Sequence, residues 1–230
     1  MQSSNGGWGA FDVDNTYFYL EHIPFADHGA LLDPPTSDVT ARCVMMLCQL
    51  GHGREHQAVR RGLEYLRTEQ EEDGSWYGRW GVNHIYGTWS VLTALEAAGE
   101  DMTQPYIRKA VEWLLTRQSV DGGWGEDCAT YAPGNRDLMR SSTPSQTAWA
   151  LLGLMAAGEA DSPAVNRGIA YLLQAPRNGA NWVENLYTGT GFPRVFYLKY
   201  HGYSAYFPLW ALSRYRNLTR GRNEVLRYGT

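Results

Sequence analysis

Asp12-Val-Asp14-Asn15 sets two carboxylates two residues apart, behind the pair Gly6-Gly7 and next to the aromatic Phe11. Such a pair could ligate a cation, donate a proton or tie a turn. A hard divalent cation takes about six or more oxygen donors, and no further Asp, Glu or His clusters with this stretch. Asp and Asn side chains bond nearby backbone readily, so the turn is the reading the residues favour. Asp38 and Arg42 form a second arrangement. They stand four residues apart, one helical turn, so a carboxylate and a guanidinium could meet as a bidentate pair. Asp38 also falls where a helix start needs a cap, with Ser37 competing for that role. Cys43, Cys48 and Cys128 are odd in number and lack metal-ligand spacing, which points to a reduced, intracellular setting.

Composition narrows the classes. Hydrophobic residues at 43% and charged residues at 19% describe a folded globular chain. A net charge of −4 argues against a nucleic-acid partner, which needs a basic face. Nine Trp and 15 Tyr are many for this length, and each indole wants a partner for its N–H, so a structural device or an aromatic-lined cavity is expected. No secretory segment opens the chain. Its longest apolar run, 148–158, is about half the roughly 20 residues that span a bilayer.

The elements that would position these residues repeat. Gln70-Glu-Glu-Asp-Gly-Ser-Trp76 and Gln118-Ser-Val-Asp-Gly-Gly-Trp124 share length and pattern with Gln2-Ser-Ser-Asn-Gly-Gly-Trp8. A fourth copy, from Gln174 to Trp182, has two extra residues. Amphipathic helices are predicted before three copies, at 58–67, 107–116 and 164–173. More apolar helices follow the turns at 38–47, 88–95 and 146–155, with a last one at 206–218. Three of these four run into a glycine stop at Gly51, Gly99 and Gly158. The pattern predicts an all-α stack of helix pairs, amphipathic outside and apolar inside, closing around a cavity. An element repeated once per hairpin serves the hairpin, so the Gln…Trp turn reads as structural: the Gln amide bonds backbone at a helix end and the indole covers that end.

These turns are similar to the glutamine–tryptophan motifs of triterpene cyclases. Longer stretches resemble bacterial squalene–hopene cyclases in family order: residues 1–15, Asp33-Pro-Pro-Thr-Ser-Asp-Val-Thr-Ala41, Gly78-Arg-Trp-Gly-Val-Asn83, Asp121-Gly-Gly-Trp-Gly-Glu-Asp-Cys128, Ser142-Thr-Pro-Ser-Gln-Thr-Ala-Trp149 and Tyr187-Thr-Gly-Thr-Gly-Phe-Pro193. The resemblance implies an α/α toroid, here an incomplete ring, with residues 1–230 forming a single domain. That domain is the C-terminal portion of a longer catalytic domain, truncated on its N-terminal side. It implies squalene or a related linear isoprenoid as substrate, cyclised through carbocations after a carboxylic acid protonates an alkene. No metal and no organic cofactor is implied. It implies peripheral docking on the cytoplasmic side of a membrane, and it admits a homodimer. The initiating Asp-x-Asp-Asp is expected upstream of Met1, so the chain by itself is expected to be catalytically silent.

Residue by residue, the resemblance places Asp38 in the hydrogen-bond network supporting the acid. Arg42 stands where well-known members have a histidine paired with that acid, and an Arg cannot shuttle a proton at neutral pH. Trp80 and Tyr86 match cavity aromatics, and Phe11 keeps the ring where a tyrosine is common. Phe192, Phe196, Tyr200 and Tyr203 match the aromatic set at the far end; spacings of four, four and three place them on one face of a helix over 192–203. Two competitors are a zinc-dependent prenyltransferase β subunit using Asp127, Cys128 and a distant His, and a non-catalytic scaffold of the same fold.

Overall fold

The computed structural model describes residues 1–24 and 31–220. Among these, seven α-helices carry most of the chain: α1 Ser37–Gln49, α2 Gln57–Thr68, α3 His84–Ala97, α4 Pro105–Thr116, α5 Pro144–Ala156, α6 Pro163–Gln174 and α7 Tyr203–Thr219. Two small antiparallel hairpins join them, β1 Arg177–Asn178 with β2 Asn181–Trp182, and β3 Gly189–Phe192 with β4 Phe196–Leu198.

Sequence chemistry sets the helix ends. Prolines open α4, α5 and α6, where a missing N–H costs nothing. The Thr143 and Ser162 side chains accept N–H bonds from Gln146 and Val165 as caps. Gly51, Gly99 and Gly158 stop α1, α3 and α5 at φ of 92°, 68° and 84°, the left-handed region glycine adopts without strain. The cap of α1 differs from expectation. Thr36, and neither Ser37 nor Asp38, is the N-cap residue, because both followers already lie within the helix.

Outer helices bury one stripe: α2 sinks Val59, Leu63 and Leu66 and exposes Arg60, Glu64 and Arg67. Inner helices have no polar face to spare. Every residue of α5 is buried, and it carries no charged residue. The inner series packs α1 on α3, α3 on α5 and α5 on α7, and α2 and α6 lie outside α1 and α5. The arc does not close. At its two ends α1 exposes Met46 and Leu50, and α7 exposes Tyr206 and Leu209.

The Gln…Trp turn knits neighbouring pairs. The Nε2 groups of Gln2, Gln70 and Gln118 each donate to the carbonyl of their own turn (Gly6, Gly74, Gly122) and to the second residue of the next outer helix (Ala58, Tyr106, Ala164). The indoles of Trp76, Trp124 and Trp182 donate to Leu66, Leu114 and Leu172 at 2.7, 2.8 and 2.7 Å. Those are carbonyls in the last turn of the preceding outer helix, where the i+4 donors run out; Leu114 O also takes the Arg117 N–H at 3.2 Å. Trp76 and Trp124 therefore occupy equivalent places. Trp8 is also buried, and its backbone N–H donates to the Thr40 hydroxyl oxygen. The fourth copy keeps its indole but not its glutamine: Gln174 is exposed, and no outer helix follows Trp182 among the described residues to receive its amide.

Candidate functional site

Asp38 is 1% exposed. Its Oδ2 accepts the backbone N–H groups of Arg79 and Trp80 at 3.0 and 2.9 Å, and its Oδ1 accepts the Thr36 hydroxyl at 2.6 Å. Burial pushes the carboxyl above its ordinary range against the pull of those bonds. A buried carboxyl is thus fixed to the turn that presents Trp80.

Aromatic rings extend from that turn in two directions. Phe11 meets Trp80 edge to face at 5.9 Å. The Arg79 guanidinium lies 4.4 Å from the Trp80 ring centre and 5.6 Å from that of Phe192, which meets Phe196 at 5.1 Å. Arg79 also donates to Gly191 O at 2.7 Å, clamping the Trp80 turn to β3. On the other side Gly81 pairs with Gly189 across an isolated antiparallel bridge. A Cβ on Gly81 would fall 2.4 Å from the Tyr86 ring, and one on Gly189 would fall 2.5 Å from Tyr200, so only glycine lets both rings lie on this backbone pair. Tyr200 meets Tyr203 at 4.8 Å, Tyr203 meets Trp149 at 5.6 Å and Trp149 meets Tyr86 at 4.9 Å. The rings thus form two clusters, joined through the Gly81–Gly189 backbone bridge. Phe11, Trp80, Phe192 and Phe196 gather around Arg79, and Tyr86, Trp149, Tyr203 and Tyr200 are in ring contact. Asp38 bonds the turn that carries the first cluster. Phe11 is 76% exposed and marks the open edge of that cluster.

Two expectations fail locally. Residues 192–203 are not helical: Phe192 ends β3, Phe196 starts β4, and only Tyr203 enters α7. Pro193 and Arg194, the latter at φ 70°, make the turn between the strands, and Pro has no N–H to continue a helix. The rings converge across a hairpin instead. Nor do Arg42 and Asp38 form an ion pair among the described residues. The Arg42 guanidinium lies 4.1 Å from the Trp89 ring centre and 5.9 Å from that of Tyr86, a face on which a cation is stabilised by the ring quadrupole.

Asp14, which resembled an acid, is tied into a turn. Its carboxylate accepts the Ser4 N–H at 2.7 Å and the Ser4 hydroxyl at 2.8 Å, and the backbone bond to Ser4 holds it below the usual range. Asp12 accepts from Asn15. Asp127 caps the 3₁₀ turn Cys128–Tyr131 through the Ala129 N–H and pairs with Arg140, while the Cys128 thiol donates to Tyr187 O. No group of three or more His, Cys, Asp or Glu able to hold a metal forms among the described residues.

Sequence reasoning missed Glu126 and Glu184. Glu126 accepts the N–H groups of Asn83, His84 and Ile85, closing the start of α3, which carries Tyr86. Glu184 does the same for Ser145 in α5. Burial raises both carboxyls. The signal lay in Gly125-Glu126-Asp127-Cys128, whose first acid lies among apolar positions.

An arc of α/α hairpins that carries a buried carboxyl beside two clusters of aromatic rings has the architecture of the terpene cyclases. Among solved structures, a type II terpene cyclase from Scytonema matches with a TM-score of 0.62 over 94% of this chain and 64% of that one, at 20% identity. The sequence family model described as the squalene-hopene cyclase C-terminal domain matches residues 1–217, and the chain belongs to that family. It is 59% identical to the squalene–hopene cyclase of Zymomonas mobilis over 232 residues, and 52% identical to that of Alicyclobacillus acidocaldarius over 222. These alignments cover 100% and 96% of this chain but 35% of each relative, so the chain spans about a third of their length. A dammaradiene synthase of Dryopteris crassirhizoma is 41% identical over 94% of the chain.

Proposed function

We propose that this chain supplies the cation-stabilising wall and the acid-supporting residues of a triterpene cyclase that converts squalene to a hopene-type product by acid-initiated polycyclisation. The observation that carries this reading is the coupling of Asp38 to Trp80: the buried carboxylate oxygen lies 2.9 Å from the main-chain nitrogen of the turn that presents the Trp80 ring. Protonating an alkene needs a strong acid kept from water, and the cations that follow need π-faces rather than nucleophiles. Asp38 supports the initiating acid by holding or giving a proton. Trp80, Phe192 and Phe196 face the growing cation, and Tyr86, Tyr200 and Tyr203 extend that surface. The substrate is a linear isoprenoid, and the enzyme takes it up at a membrane surface. No helix among the described residues is long and apolar enough to cross a membrane.

The 230 residues contain no Asp-x-Asp-Asp, and Asp12 and Asp14 serve a turn. We therefore expect the chain alone to leave squalene uncyclised. A chimera of the Zymomonas mobilis cyclase with its matching residues replaced by this chain should make cyclic triterpene, read by gas chromatography and mass spectrometry. In that chimera Asp38→Asn should lower the rate by about 100-fold or more, the usual weight of a positioned proton donor. Cyclisation by the isolated chain that Asp14→Asn abolishes would overturn the assignment, as would an Asp38→Asn chimera of full activity.

A further inference from the structure

An acid that gives up a proton to a substrate must regain one before the next turnover. Arg42 cannot return it, because a guanidinium stays protonated in proteins, and this one is stacked on Trp89, not paired with Asp38. Around the Asp38 carboxyl, the Arg79 and Trp80 donors are backbone amides, which do not relay protons. Among the described residues, one side chain hydrogen bonds that carboxyl, and it is the Thr36 hydroxyl at 2.6 Å.

Thr36 is half-buried and also lines a cavity of about 340 Å³ with Glu21, Tyr77, Arg79, Tyr131 and Arg194. That volume holds several waters, since one needs about 30 Å³ of liquid. The cavity opens beside the exposed Glu21 and Arg194. Tyr131 does not compete as a donor, because its O–H is committed to the carbonyls of Gly78 and Gly81 at 2.5 and 2.8 Å. Among the described residues, Thr36 is thus the single protic side chain that touches both the buried carboxyl and a water-sized space.

We propose that Thr36 is a positioning and relay residue: its hydroxyl passes protons from water in this cavity to Asp38. A cavity hydronium gives its proton to Thr36 Oγ1 as the hydroxyl's own hydrogen moves to Asp38 Oδ1. One proton is transferred, one water is left behind and Thr36 is unchanged. That this step resupplies an initiating acid rests on the cyclase reading above; the relay itself does not.

The relay is tested in the 230-residue chain without substrate. The carbonyl band of protonated Asp38, assigned by its loss in Asp38→Asn, is followed by rapid-mixing infrared spectroscopy as the proton exchanges for deuterium. Thr36→Val keeps the side-chain shape and removes the hydroxyl; it should slow exchange by about tenfold or more, the scale set by losing one hydrogen-bonded proton carrier. Thr36→Ser should restore it. Exchange in Thr36→Val within twofold of the parent overturns the proposal. If Thr36→Val fails to fold, Thr36→Ala with the same Ser control replaces it, and fast exchange there overturns the proposal equally. The cyclase chimera separates the two readings. Thr36→Val should complete a normal first turnover and then run about 100-fold slower. Full activity of Asp38→Asn in that chimera sinks the acid-support reading, while loss in Asp38→Asn with steady turnover in Thr36→Val sinks the relay alone.

Discussion

Side chains of the Gln…Trp turn tie the turn to its neighbours, the amide to its own carbonyl and the next outer helix, the indole to the end of the preceding one, which makes them expensive to change. The Trp124 indole donates to Leu114 O at 2.8 Å in a fully buried position, and its ring lies against Gly168. Trp124→Phe removes that donor and leaves Leu114 O with the Arg117 N–H alone at 3.2 Å, so the lost bond costs about 1 kcal/mol before any cavity term. Urea unfolding should show that loss in midpoint with the slope unchanged, and an unaltered midpoint would mean the bond contributes nothing. Much at this scale was legible from sequence, since the repeat itself marks Trp76 and Trp124 as structural. The role of Arg42 was not legible. Spacing places it one turn from Asp38, but whether a guanidinium bonds a carboxylate or lies on an indole depends on Trp89, which the helix periodicity does not single out.

Helices were readable because periodicity, proline starts and glycine stops agreed; hairpin β3–β4 was not, because aromatic spacing of four imitates a helix. What distinguishes it is Gly189-Thr-Gly191 before Pro193, where small residues let rings cross the backbone. Glycines inside helices have the same use. In α6, a Cβ on Gly168 would stand 2.7 Å from the Trp124 ring and 2.8 Å from Leu151; in α2, one on Gly62 would stand 2.9 Å from the Trp8 ring and 2.6 Å from Val44. Two competing effects meet at Gly168→Ala. Helix propensity favours alanine by about 1 kcal/mol, whereas overpacking a filled site costs about 1–3 kcal/mol. The contacts come from a buried ring and a leucine that cannot swing aside, so packing wins. Thermal unfolding should place Gly168→Ala below the parent. The variant at Gly99, where φ is 68° and nothing lies within 4 Å, should lose about 1 kcal/mol from backbone strain alone. A more stable Gly168→Ala would show that the outer helix can move away from the turn.

For the whole molecule, buried titratable groups make stability depend on pH with opposing signs. Asp38, Glu126 and Glu184 have carboxyls raised by burial, so protonating them relieves a penalty, and their contributions grow as pH falls. Asp73 behaves oppositely. Despite the penalty of burial, hydrogen bonding and pairing with Arg136 hold it well below the usual range, so its contribution is lost in strong acid. His84 decides the middle of the range. It is 3% exposed, its Nδ1 has no hydrogen-bond partner among the described residues, and burial, aided by the Arg136 charge, depresses it from 6.5 to about 4. The folded chain therefore keeps His84 neutral while the unfolded chain takes up a proton, and stability drains away as pH drops from about 6.5 to about 4. At 1.36 kcal/mol for each pH unit of that gap, the loss is about 3 kcal/mol. His84→Gln removes the proton acceptor, so the two curves of unfolding free energy against pH should approach each other by about that amount between neutrality and about pH 4. Taking the difference between parent and variant cancels the carboxyls, which both share. Parallel curves over that range would show that His84 is protonated as easily in the folded chain as in the unfolded one, and that its burial next to Trp113 carries no electrostatic cost.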